Sequence, residues 1–170
     1  LEEIYKASLD MILQSVKADR AAILLMDDDQ VMRFKAWRGL SEEYREVVQG
    51  HSPWQPGAPD PQPVCIPDID HAPLDAPLRE VVRREGIQAL GFFPLVCQKR
   101  LLGKFMVYYN TAHPFLEEEV QLAQTIAGHV AFSIQSKRRE EALHQSEERL
   151  NVALSAGRMG AWEWNIQTGK

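Results

Sequence analysis

The chain has 170 residues, 45% of them hydrophobic and 25% charged, with a formal net charge of −5. This is the composition of an ordinary globular chain, long enough for one domain with additional segments. The acidic balance argues against the basic face of a general nucleic-acid binder. No apolar run reaches the length of a membrane span and no secretory signal opens the sequence, so the chain reads as cytoplasmic.

Residues 1–16 carry Leu1, Ile4, Tyr5, Leu9, Ile12 and Val16 at three- and four-residue steps, which predicts an amphipathic helix. Ala21 to Met26 is a short apolar run suited to a buried strand, and Asp27-Asp28-Asp29 breaks it as a turn. Val31 to Trp37 alternates, so the two runs form a hairpin. Ser41 to Val48 reads as a short helix with Ser41 as N-cap and Glu42 and Glu43 in its first turn. Eight of the ten prolines then fall between Pro53 and Pro77. Proline removes a backbone donor and fixes φ, so this stretch is an irregular excursion of the kind that covers sites. Within it Val64 to Ile69 is a brief extended piece.

Leu74 to Glu85 returns to helix, with Gly86 as its stop. Ile87 to Val96 and Leu101 to Tyr109 are strands joined by Gln98-Lys99-Arg100, and Gly103 marks a bulge or a close backbone approach. From Phe115 onward a long helix begins, with Glu117, Glu118 and Glu119 at its positive end. Its wide apolar face runs from Val120 to Ile134. From Lys137 to Arg149 eight of thirteen residues are charged, and Leu143 and Leu150 stand seven apart. Such a helix is a solvated spacer or half of a thin coiled coil. The sum is an α+β domain: a central antiparallel sheet with helices packed on one face.

Several strings carry a family likeness. They are Pro63 to Ile69, Glu85 to Leu90, Phe93 to Val96, Leu102 to Val107, and Phe115 through Ala131. In this order and spacing they resemble a GAF domain over residues 1–136. A charged helical linker follows over 137–150. Residues 151–170, with Trp162-Glu163-Trp164-Asn165 and Thr168-Gly169, look like the truncated start of a PAS domain. The resemblance implies a loop and helix cover on the sheet face away from the terminal helices, with a ligand held beneath it. It also implies a non-catalytic sensory and dimerisation module of a bacterial signalling protein, one ending in a histidine kinase or a cyclic-dinucleotide enzyme. Residues 1–16 and 117–136 are then expected to pair with a second copy in a parallel homodimer. The charged helix would carry ligand binding or dimer repacking onward.

Strand alternation sends one of Phe92 and Phe93, and one of Tyr108 and Tyr109, to the covered face. With Trp54 from the proline-rich excursion these are the candidates to line a small-molecule pocket, although an aromatic in a strand more often serves as core packing. Arg83 offers a cationic contact for an anionic ligand, against a solvated helix face. Asp27-Asp28-Asp29 and the group Asp68, Asp70 and His71 read as turn residues rather than cation ligands. His129 reads as a partly buried structural residue, and no nucleophile–base set is apparent. The sequence identifies no cofactor, and no metal site is expected. Cys65 and Cys97 lie in apolar surroundings and read as free buried thiols. They are also the only pair that a methionine sulfoxide reductase of this fold, the rival reading, would have to use.

Overall fold

In the computed structural model the backbone of residues 1–167 and the side chains as far as Ser155 are described. Two compact units divide the chain, Leu1–Ile134 and a second beginning at Gln135. The first opens with α1 (Glu2–Val16). Its Leu9, Ile12 and Val16 are buried, and full burial of a side chain of this size stabilises by roughly 1.5–3 kcal/mol. Lys17 ends the helix in the left-handed region, with φ of 50°. The strands β1 (Arg20–Met26), β2 (Met32–Arg38), β3 (Val64–Ile66), β4 (Ala89–Cys97) and β5 (Arg100–Tyr109) form one antiparallel sheet in the order β2-β1-β5-β4-β3.

The β1–β2 turn is closed by its own charges. Asp29 takes two hydrogen bonds from Arg33, at 2.7 and 2.6 Å, and Asp27 pairs with Lys35 at 2.7 Å. The Arg33 guanidinium holds the Asp29 carboxyl down to about 2. These carboxylates are already satisfied by cations of the hairpin itself, in line with a turn. The β4–β5 turn places Gln98 and Lys99 at φ of 51° and 62°, the mirror-image geometry that matches strand twist. Gly103 is a close approach of the tightest kind: a Cβ there would lie 2.1 Å from the Leu24 carbonyl oxygen on β1.

Between β2 and β3 runs α2 (Glu42–Val48), and between β3 and β4 runs α3 (Ala76–Arg84). Ser41 caps α2 by accepting from the Tyr44 N–H at 3.1 Å, and Asp75 caps α3 through the Leu78 N–H at 2.8 Å. Glu85, at the end of α3, ties both helices to the sheet. It accepts from the Ser41 N–H at 2.8 Å, the Ser41 hydroxyl at 2.5 Å and Arg20 at 3.1 Å.

The sheet separates two apolar layers. On one side Ile23, Phe93, Phe105 and Val107 pack with Leu9 and Ile12 of α1. The same layer includes Ile126 and Val130 of α4 (Glu117–Gln167). On the other side Leu24, Leu90, Met106 and Tyr108 lie under Tyr44 and Val48 of α2 and Val82 of α3. This is the α+β architecture expected from the sequence, with terminal helices on one face and a loop and helix cover on the other.

In the second unit the backbone is helical through Gln167. The sequence reading expected an extended opening at Trp162 to Asn165. A helix pairs its own N–H and C=O groups, whereas a lone extended segment needs a neighbouring strand to do so. Thr168 and Gly169, part of the same expectation, lie outside the described residues. Along this unit Lys137 pairs with Glu140 at 3.0 Å and His144 with Glu148 at 3.3 Å, while Leu143 and Leu150 are exposed. No helix among the described residues is long and apolar enough to cross a membrane.

Candidate functional site

The covered layer does not close completely. A cavity of about 50 Å³ remains between the sheet and the α2–α3 cover. Leu24, Leu90, Phe92 and Met106 rise from the strands, and Tyr44 and Leu78 are among the side chains above them. The period of two along a strand explains the floor: residues 104, 106 and 108 of β5 point to this side, and 105, 107 and 109 to the helices.

One charged side chain enters the apolar wall. Lys104 is 1% exposed, and its Nζ donates to the His51 carbonyl oxygen at 2.5 Å. The ammonium also stands 5.1 Å from the centre of the Phe92 ring. Burial alone pushes its titration down from the usual lysine range to about 7. An ammonium has three donors. Among the described residues the one acceptor for these N–H donors is the His51 carbonyl, and no carboxylate pairs with the group. Nearby, the Tyr44 and Tyr108 rings meet edge to face at 6.1 Å, and burial raises both phenols well above their ordinary range.

The sequence candidates scatter. Phe92 lines the cavity. Tyr108 shares its layer, fully buried against Tyr44. Phe93 and Tyr109 belong to the opposite layer, where Phe93 stacks on Phe105 at 4.9 Å. Trp54 packs at the border of the covered layer and donates from Nε1 to the Gln62 carbonyl at 2.9 Å, bracing the proline-rich loop. Arg83 is exposed and bonded to Asp70, so its charge is engaged outside the cavity. Asp68 and Asp70 both accept from Gln88, at 2.7 and 3.0 Å, and His71 faces Asp68 at 2.8 Å. His129 is exposed, not partly buried as its sequence context suggested, because it falls between the buried positions Ala127 and Val130 on α4.

The residue that sequence reasoning passed over is Lys104. Its signal was present: it is the single charge between Leu101 and Tyr109, in phase with Met106 and Tyr108.

On the helix side, Tyr109 places its hydroxyl 2.9 Å from the Val16 carbonyl and 2.7 Å from Glu119 Oε1. His113 stacks on the Tyr109 ring at 3.8 Å and meets Glu119 at 2.9 Å. These contacts fasten the first turn of α4 to the end of α1. Cys65 lies close enough to feel Glu119, and burial together with that carboxylate pushes its thiol up to about 11. Cys65 pairs with Gly91 across β3 and β4, whereas Cys97 ends β4 six residues further on. At a strand rise of 3.3–3.4 Å per residue that is about 20 Å, far beyond disulfide reach. The two cysteines do not converge.

The GAF domain family model matches residues 1–134. Among solved structures, a domain provisionally assigned to a two-component sensor histidine kinase of Sinorhizobium meliloti is 48% identical. It covers 85% of this chain and 97% of its own length, with a TM-score of 0.81. The blue-light-absorbing form of the PixJ GAF domain of Thermosynechococcus elongatus is 16% identical (85% and 90% covered, TM-score 0.71). The photoproduct state of the third GAF domain of Slr1393 from Synechocystis is 17% identical (83% and 97% covered, TM-score 0.68). At those identities the last two speak for the fold alone. No curated protein matches the chain.

Proposed function

The chain belongs to the GAF domain family, and from that premise we propose that it is a non-catalytic sensory and dimerisation module of a cytoplasmic two-component signalling protein. The observation that carries the reading is the shared sheet. The cavity opens on one face of β4 and β5, and the other face of the same strands packs with α1 and α4. A small molecule that settles between the sheet and α2–α3 must bias the strands, and the strands are the floor on which α4 rests.

The output follows from α4. Leu122 and Phe132 are exposed on its first part, and Leu143 and Leu150 on its later part. Leu143 and Leu150 stand seven residues apart and Leu122 three such steps before Leu143, with His129 and Ser136 at the positions between and Phe132 three residues after the first of these. That is the seam of a parallel two-stranded coiled coil, weak over any one turn and cumulative over several. In a two-fold dimer a small rotation at the globule becomes a rotation of the paired helices. A histidine kinase is the output that the 48%-identical neighbour favours.

Two measurements test the proposal on the 170-residue chain. Sedimentation should give a dimer at micromolar concentration. A thermal-shift screen against nucleotides, tetrapyrroles and small metabolites should find a stabilising compound, since a ligand that prefers the folded state raises its melting point. A strict monomer that no compound stabilises would overturn the reading.

A further inference from the structure

An ammonium in an apolar wall is costly unless something pairs with it. A methionine would fill the place of Lys104 without that cost. The His51 carbonyl takes one of the three ammonium protons, and among the described residues no acceptor takes the other two, which lie next to open volume. The hydrocarbon of Leu24, Leu78, Leu90 and Met106 surrounds the rest of that volume.

We propose that this cavity is the receptor site for a small aliphatic monocarboxylate, with its carboxylate on the Lys104 ammonium and its hydrocarbon against Leu24, Leu78, Leu90 and Met106. The inference rests on the sensory reading above and names the class of signal. One cation balances one negative charge. A phosphate group carries more charge and needs several donors, and no arginine or second lysine lines the cavity among the described residues. The His51 carbonyl repels anionic oxygen from its own side, which leaves the two remaining N–H vectors for one carboxylate. The volume of about 50 Å³, about a third of a cavity that holds benzene, is far too small for a nucleotide, and a short branched chain enters it only as the α2–α3 cover yields. The other titratable groups facing the space are Tyr44, kept neutral by burial, and His51. Neither contributes a competing anion near neutral pH.

The test uses the 170-residue chain with sodium isovalerate, its neutral isostere isovaleramide, and the cation isopentylamine. Isovalerate is expected to raise the melting temperature by several degrees and to bind about tenfold or more tighter than the amide, a gap of about 1.4 kcal/mol. Isopentylamine should have no effect. In Lys104→Met the preference should invert, with the amide bound and the carboxylate rejected. Should that variant fail to fold, the ¹³Cε resonance of Lys104 in the unaltered chain decides. Its titration should move upward on saturation with isovalerate and stay put with the amide. Equal stabilisation by isovalerate and isovaleramide would sink the carboxylate assignment while leaving a receptor cavity intact. No response to any of the three, with a hit elsewhere in the broad screen, would also reject the assignment and keep the sensory reading. Silence in both would remove both.

Discussion

Replacing Lys104 by methionine should make the fold more stable near neutral pH and flatten its response to alkali. In the folded chain the ammonium titrates near 7, against 10.5 for an exposed lysine. Between those values the unfolded chain binds the extra proton, so stability is lowest below pH 7 and rises as the pH climbs toward 10.5. From about pH 7 to about pH 9 the gain is roughly RT ln 50, or about 2 kcal/mol. Cys65 and Tyr109 work in the opposite sense above their ordinary ranges, because burial holds both protonated in the folded chain. They are common to both proteins, so the difference between the two curves isolates Lys104. Urea midpoints at half-unit pH steps measure it. If the parent and Lys104→Met curves run parallel from pH 7 to 9, the ammonium is not desolvated in the way the structure shows, and the carboxylate site loses its physical basis.

Gly103→Ala should cost on the order of 3 kcal/mol or more, since its methyl group would meet the Leu24 carbonyl at 2.1 Å; a denaturation midpoint close to that of the parent would contradict the packing of β1 on β5. Tyr109→Phe removes the hydroxyl shared by Val16 and Glu119 and should destabilise by about 1–3 kcal/mol, read by calorimetry. Phe132→Glu is exposed in one copy, so it should leave the melting of the globule nearly unchanged while shifting sedimentation from dimer toward monomer. The Cys65 thiol, held protonated to about 11, should react with a disulfide reagent much more slowly in the native chain than in urea.

Much of the architecture could be read from residue spacing. The β1–β2 hairpin follows from two apolar runs around three aspartates, and the cover from a proline cluster that no strand could accommodate. Gly103 was marked for a close approach, and the Leu24 carbonyl supplies one. The site was less legible. Alternation says that adjacent aromatics face opposite ways, but the choice of face depends on register. In β4 and β5 the register shifts between Leu95 and Val96, an irregularity that no local pattern announces. Trp54 looked like a ligand contact because it is aromatic and lies in the cover, yet its indole N–H is used by Gln62. Arg83 looked available because sequence does not show Asp70 folding back toward it. Lys104 was overlooked for a related reason: a lone charge in an apolar strand reads as an edge residue until the strand is known to lie at the centre of the sheet, third of five.

The alternation along β5 has an evolutionary cost. Lys104 and Met106 meet the cavity and Tyr108 shares their layer, while their immediate chain neighbours Phe105, Val107 and Tyr109 meet the helices. No intermediate layer buffers the two, so the cavity surface and the helix-bearing surface are a single peptide bond apart. A change that retunes one surface must therefore disturb the other. Descendants of this chain should change the cavity through cover positions such as Leu78, which touch no helix of the opposite layer, and leave the middle strand almost untouched.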